Sequence, residues 1–194
     1  MSIAALILAA GGSRRLGRPK QLLLHEGETL LNRAIRIATE AGAAPVLAVL
    51  GADFEAIRSS IASPSAIPVR NDRWRQGMGA SLAEGMRTLA LCSPLTRAVL
   101  LMGCDQPRLT AEHLRALMDA FAGRGSHAII ASAYAGIRGV PAVFPSETFP
   151  DLLALRGDKG ARSVIEKAKF PVISVQFEGG EVDIDAPEDL ASLQ

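Results

Sequence analysis

Short, wholly apolar runs recur along this chain, each followed by a stretch with helical spacing, and that alternation leaves few folds open. "IAALILA" near the amino terminus is apolar at every position, the pattern of a strand covered on both faces. "ETLLNRAIRIATEAG" follows, with Leu30, Leu31, Ala34, Ile35 and Ala38 at helical spacing before Gly42 stops it. The unit then repeats. "PVLAVLG" precedes a helix over 53–61, "IPVRN" one over 80–91 and "RAVLLMG" one over 110–121, and "HAIIASA" adds a further strand. Strands alternating with helices predict right-handed βαβ crossovers, and hence a mostly parallel sheet with helices on both faces, a three-layer α/β/α fold.

Beyond Ala133 the rhythm changes. "GVPAVFP" reads as a strand holding a proline, placed at an edge or against the main direction; "LLALRG" and "GARSVIEKA" read as helices and "FPVISVQF" as another strand, so the sheet is mixed. "EVDIDAPEDLASLQ" reads as a short strand running into a helix, with Asp185 at the N-cap and Glu188 three residues on. No fixed-period repeat or linker divides the chain, and 194 residues suffice for one domain, 1–194, with its own core.

Composition excludes several classes. A balance of 21 basic against 20 acidic residues gives no surplus for general binding to nucleic acid or a membrane surface. No apolar run approaches the roughly 18 residues of a membrane span, and the first residues lack a charged signal region, so a cytoplasmic protein is expected. Cys92 and Cys104 lack C-x-x-C spacing, and His25, His113 and His127 lack zinc spacing.

Strong charge is therefore local, and it is concentrated in one place. "GGSRRLGRPK" comes after the first strand with three glycines, four cations and no acid. In parallel α/β sheets, ligands bind beyond the carboxyl ends of strands, where loops present backbone N–H groups. Gly11 and Gly12 let the backbone approach a ligand, Gly17 allows a second tight turn, and Arg14, Arg15, Arg18 and Lys20 supply charge for a polyphosphate. Two known phosphate frames are absent: Pro19 precedes Lys20 where the Walker loop needs glycine, and neither this loop nor "GMGASL" completes G-x-G-x-x-G.

Other stations have bland and functional readings side by side. Asp105 in "AVLLMGCDQP" lies just past a strand end and can hold Mg²⁺ together with waters and substrate phosphates. Asp183 and Asp185 leave one face of an expected strand end, though Asp185 also serves as a helix cap. In "NDRWRQGMGASLAEG", Asn71 and Asp72 form a turn, Gly77 and Gly79 let a base lie against backbone, and Ser81 can donate a hydrogen bond. Trp74 suits a packing anchor as well as a ligand contact. Asp158 caps the following helix, Lys159 and Arg162 point charge at an anionic acceptor, and Arg138 with the Gly139-Val140-Pro141 turn faces that acceptor. Cys104 has no neighbouring base to make it a nucleophile and is structural.

Leu8, Ala9, Ala10, Gly11, Arg15, Gly17 and Lys20 satisfy L-A-A-G-x-x-x-R-x-G-x-x-K. This resembles the signature loop of nucleotidyltransferases of the molybdenum-cofactor type, within the Rossmann-like fold of nucleotide-diphospho-sugar transferases. "NDRWRQGMGASLAEG", "MGCDQP", "GVPAVF", "RGDKGAR" and "DIDAPEDL" continue the resemblance in order. It implies that Asp105 is a magnesium ligand, joined by Asp183, and that Leu8 to Gly11 and the 71–85 segment form the base pocket. It implies transfer of CMP from CTP to the terminal phosphate of molybdopterin for a molybdenum hydroxylase client, with Lys20 and Arg15 stabilising the α-phosphate and leaving pyrophosphate. Guanylyl-transferring relatives usually carry Asn at both aspartate positions and Gly where Ala10 stands, so this chain is closer to the cytidylyl-transferring ones. Guanylyl transfer, transfer to another small phosphate, or a non-catalytic cofactor chaperone are the alternatives.

Overall fold

A computed structural model describes residues 2–123 and 127–193. Seven strands form one sheet: β1 (Ile3–Ala9), β4 (Val46–Leu50), β5 (Ala66–Arg70), β6 (Ala98–Gly103), β7 (Ile129–Tyr134), β8 (Ile137–Pro145) and β9 (Val172–Gln176). β2 (Leu24–His25) and β3 (Glu28–Thr29) make a small separate hairpin. The sheet order is β5-β4-β1-β6-β8-β7-β9, and β8 runs antiparallel to both its neighbours while the other pairings are parallel.

Side-chain alternation sorts the core into two layers. Ile3, Ala5, Ile7 and Ala9 of β1 face one side with Ala48, Leu100 and Met102; there they meet α1 (Leu30–Glu40), α2 (Phe54–Ser59) and α4 (Ala111–Gly123) through Leu31, Ile35, Ile57, Leu117 and Phe121. Ala4 and Leu6 face the other side with Leu47, Val49, Val99 and Leu101. They meet α3 (Met78–Cys92), α5 (Phe149–Ala154) and α6 (Arg162–Glu166) through Leu82, Met86, Leu152 and Ile165. The expected three layers are present.

Two prolines show how the sheet tolerates them. Pro68 lies in β5, at the edge, where a missing N–H leaves no neighbour unpaired. Pro141 lies in β8, which sits inside the sheet; the offered edge position does not hold, and the reversed direction does. The register slips there: Ser132 pairs with Gly139 but Ala131 pairs with Ala142, so Val140 and Pro141 bulge out of the ladder. Their carbonyls find side-chain donors instead, Ser132 Oγ to Pro141 at 2.6 Å and Tyr134 Oη to Val140 at 3.1 Å.

The segment Asp183–Ile184–Asp185 forms no strand, and the chain continues into a 3₁₀ helix, Pro187–Leu193. Asp185 does not cap it. Asp189 Oδ2 reaches back to accept from the N–H groups of Asp185 and Ala186 at 2.9 and 2.7 Å. That leaves the Asp185 carboxylate free for other partners.

Gly85 in α3 lies close against the sheet. A Cβ there would lie 2.5 Å from Leu6 Cδ1 and 2.7 Å from Val49 Cγ2. Helix propensity favours alanine by ~1 kcal/mol, but overpacking costs ~1–3 kcal/mol, so steric cost wins. Gly85→Ala is predicted to lower the midpoint of thermal unfolding by about 2–6 °C, read by circular dichroism. A raised midpoint would show that the two layers have slack.

Candidate active site

β1 and β6 are parallel neighbours with Leu8 opposite Gly103, so the chain leaves both strands side by side at one edge of the sheet. From β1 it enters the glycine-rich loop. Ser13 adopts a left-handed φ of 46°, and its carbonyl accepts from the N–H groups of Leu16 and Gly17, both at 3.1 Å. Gly17 has a φ of 70°, a backbone state that suits glycine. Ser13 Oγ then accepts from the Lys20 N–H at 3.0 Å, which folds the basic loop back over the strand end.

Gln21 holds the inside of this loop. Its side chain is fully buried, and Nε2 donates to the carbonyls of Ala9 at 2.7 Å and Gly11 at 2.9 Å. Sequence reasoning did not single it out; the signal was a lone amide inside the run "KQLLL".

From β6 the chain delivers Asp105. Lys20 Nζ lies 2.6 Å from Asp105 Oδ2 and 2.7 Å from Asp185 Oδ1, and Arg15 Nη2 lies 2.9 Å from Asp185 Oδ2. A main-chain bond from Ile184 N–H to the Asp105 carbonyl at 2.9 Å fastens the carboxy-terminal segment here. The side chain of Lys20 is 16% exposed and that of Arg15 71%, so Lys20 is the inner cation and Arg15 the outer one. Burial opposes charge on Lys20, but Asp105 and Asp185 outweigh it and raise its pKa well above the ordinary lysine value. Burial also pushes Asp183 up, and the nearby Asp185 and Asp105 carboxylates add to the rise. Asp185 ends below the usual range, because Lys20 and Arg15 overcome the effect of its burial. Burial, reinforced by the Asp105 charge, pushes the Cys104 thiol up to about 12, so it stays protonated at neutral pH.

Two clefts meet at Asp105, and Arg15 and Asp185 line neither of them. The first, of about 530 Å³, is lined by Leu8 to Gly12, Lys20, Gln21 and Asp105, and across from them by Trp74, Arg75, Gly77, Met78, Ser81 and Asp158. The second, of about 400 Å³, shares Leu8, Met78 and Asp105, and adds Gln106, Tyr134, Ile137, Val140, Gly180 and Asp183. Trp74 is a packed wall of the first: Gly12 and Gly51 lack the Cβ atoms that would strike its ring and stem, and the Arg75 guanidinium sits 4.5 Å above its ring.

The remaining sequence candidates lie around these clefts. Asn71 stands behind the first, with Nδ2 donating to Ser81 Oγ at 2.9 Å. Gly79 packs on the backbone of Arg156, and its N–H donates to the Gly157 carbonyl at 2.9 Å. Gly139 lies beneath the Tyr134 hydroxyl and Pro141 is buried, while Arg138 is exposed on β8. Arg162 pairs with Glu166 at 2.8 Å, and Lys159 lines a separate cavity with Arg156, Lys167 and Lys169. Asp158 does not cap α6, whose N-cap is Ala161 without a side-chain hydrogen bond. It belongs to the first cleft instead.

Known proteins share this arrangement of strands and loops. Residues 5–172 match the MobA-like NTP transferase domain. The chain is 28% identical to the purine catabolism protein PucB of Bacillus subtilis (strain 168), covering 96% of this chain and 93% of that one. It is 31% identical to nicotine blue oxidoreductase of Paenarthrobacter nicotinovorans, over 98% and 96%. Among solved structures, Rv0371c of Mycobacterium tuberculosis H37Rv superposes with a TM-score of 0.83 at 30% identity, over 100% of this chain and 97% of that one. The same mycobacterial protein is known in a complex with manganese, with a TM-score of 0.78 at 27% identity, over 100% and 98%.

Proposed function

The chain belongs to the MobA-like NTP transferases and is a nucleotidyltransferase, and we propose that it transfers CMP from CTP to the terminal phosphate of a molybdopterin-type acceptor, releasing pyrophosphate. The observation that carries this reading is the junction of two clefts at Asp105, one backed by the basic loop and the other lined by apolar side chains and Tyr134 together with the carboxylates of Glu181 and Asp183. A nucleotide in the first and a ring-bearing phosphate in the second would bring their reacting phosphates together at Lys20 and Asp105.

The chemistry asks little covalent work of the protein. An oxygen of the acceptor phosphate bonds to the α-phosphorus as the bond from that phosphorus to the pyrophosphate oxygen breaks. The attacking oxygen is already anionic, so no general base is required. Cys104, protonated and buried, offers no competing nucleophile. Rate enhancement then comes from holding the two phosphates in line and from neutralising charge. Lys20 and Arg15, now paired with the two oxygens of Asp185, would exchange that carboxylate for phosphate oxygens. Both states are ion-paired, so the exchange leaves no cation bare.

A hard divalent cation fits the donors here. Among the described residues no three acidic, histidine or cysteine side chains close around one point. Asp105 and Asp183 line the second cleft together, and their oxygens would serve with waters and substrate phosphates, the mixed shell that Mg²⁺ prefers. When bound, Mg²⁺ would supply charge neutralisation on the phosphates.

Base choice would rest on the floor of the first cleft, where Ala10 and Ser81 are each 5% exposed. The Ala10 methyl would crowd a purine, and an edge left without its partner would cost ~1–3 kcal/mol. With molybdopterin as acceptor, CTP is predicted to exceed GTP in kcat/KM by about tenfold or more, measured by pyrophosphate release. A preference for GTP would replace the cytidylyl reading with guanylyl transfer; no release with any nucleotide would favour a cofactor chaperone.

A further inference from the structure

Resting on the transferase reading above, we infer that Asp158 holds the ribose of the bound nucleotide and selects ribonucleotides over 2′-deoxynucleotides. The loop 156–160 comes late in the chain, between α5 and α6, which pack in the same layer as α3, and through Asp158 it forms part of the nucleotide cleft. Three contacts stitch it there. The Gly79 N–H donates to the Gly157 carbonyl at 2.9 Å. Gly77, which has a φ of 99°, lacks the Cβ that would lie 2.7 Å from Asp158 Oδ1. Gly160 lacks the Cβ that would strike the Met78 thioether. Asp158 is thereby built into the wall opposite the basic loop.

A carboxylate in a cleft made for a triphosphate needs a reason. It repels phosphate oxygens and, unprotonated, only accepts hydrogen bonds. Among the described residues Asp158 has no side-chain hydrogen bond or salt bridge, so its oxygens are not spent on the fold. On a nucleoside triphosphate the neutral donors are the amines of the base and the 2′- and 3′-hydroxyls of the sugar. Exposure separates these. Ala10 and Ser81, assigned to the base, are buried at the floor, whereas Asp158 is exposed at the mouth. A nucleotide with its base on that floor and its phosphates at Lys20 presents its sugar edge toward the mouth. Two carboxylate oxygens then match two adjacent hydroxyls.

The test compares CTP with 2′-deoxy-CTP, by pyrophosphate release with molybdopterin and by binding followed through the fluorescence of Trp74, the only tryptophan. The wild type should favour CTP by about tenfold or more in kcat/KM. Asp158→Ala should lose about tenfold more with CTP, which gives up both hydroxyl contacts, than with 2′-deoxy-CTP, which gives up only the 3′ one, and so bring their ratio near one; Asp158→Asn, which keeps the shape and an acceptor, should fall between. A merely structural role would slow both nucleotides alike, and a preserved ratio in either variant would overturn the assignment, as would equal use by the wild type. If no nucleotide yields pyrophosphate, the transfer reading falls and the assignment with it. Should Asp158→Ala not fold, the Asn variant decides.

Discussion

Asp105→Ala should lower pyrophosphate release by about three orders of magnitude while the protein stays folded. Its side chain is a quarter exposed at 26%, outside the two apolar layers, so removing it opens no core cavity. Its main-chain carbonyl, which holds Ile184, is untouched by the substitution. The Lys20 ion pair with Asp105 is lost, but Asp185 still faces Lys20 at 2.7 Å. The cost to stability should therefore be ~1 kcal/mol, given a partly exposed pair. Asp105→Asn keeps the volume and should lose nearly as much activity, since charge rather than shape is what the phosphates and a cation answer to. Turnover within tenfold of wild type in either variant would remove Asp105 from the reaction.

Lys20→Ala should act on both activity and stability. Here the inner cation disappears, and among the described residues the exposed Arg15, paired with Asp185, is the salt-bridge partner left to Asp105, Asp183 and Asp185. The activity loss should be about 10²–10³-fold and fall mainly on kcat, because negative charge at the leaving pyrophosphate grows in the transition state. Stability should fall by ~1–3 kcal/mol near neutral pH, less than for a sealed pair because water reaches these carboxylates. The pH dependence has a definite sign. Asp183 is already raised above its unfolded value, and Lys20 opposes that rise. Without Lys20 it moves further up. A carboxyl raised in the folded state contributes stability below its unfolded pKa and loses it as pH rises through the folded one. The deficit of Lys20→Ala should thus shrink as pH is lowered from neutral toward the carboxylate range, measured by thermal unfolding of both proteins. A deficit independent of pH would mean that Lys20 serves packing instead of charge.

The alternation of apolar runs and helical spacing made the three layers legible, because a parallel sheet buries both faces and every β1 residue must be apolar. The loop from Gly11 to Lys20 stood out by its local charge, four cations and no acid among three glycines, while the carboxylates that pair with Lys20 and Arg15 come from far along the chain. What local pattern could not carry was competition between partners far apart in sequence. Asp185 matches a helix cap, but Asp189 instead reaches back to the N–H groups of Asp185 and Ala186, and Lys20, 165 residues away, claims the Asp185 carboxylate. Asp158 precedes a helix and looks like its cap; the glycines that draw it into the first cleft, Gly77 and Gly79, lie some eighty residues earlier. Pro141 suggested an edge or a reversed strand; the reversed direction holds, and a bulge with the Ser132 and Tyr134 hydroxyls lets the proline sit inside the sheet.

Cleavage between the α-phosphorus and the pyrophosphate is the central expectation for this site, and label position tests it directly. Wild-type protein incubated with Mg²⁺, molybdopterin and CTP labelled at either the α- or the γ-phosphorus should place all α-label on the acceptor and all γ-label in pyrophosphate. Label from the γ-position on the acceptor, or recovery of both labels in unreacted CTP under conditions where CTP binds, would contradict it.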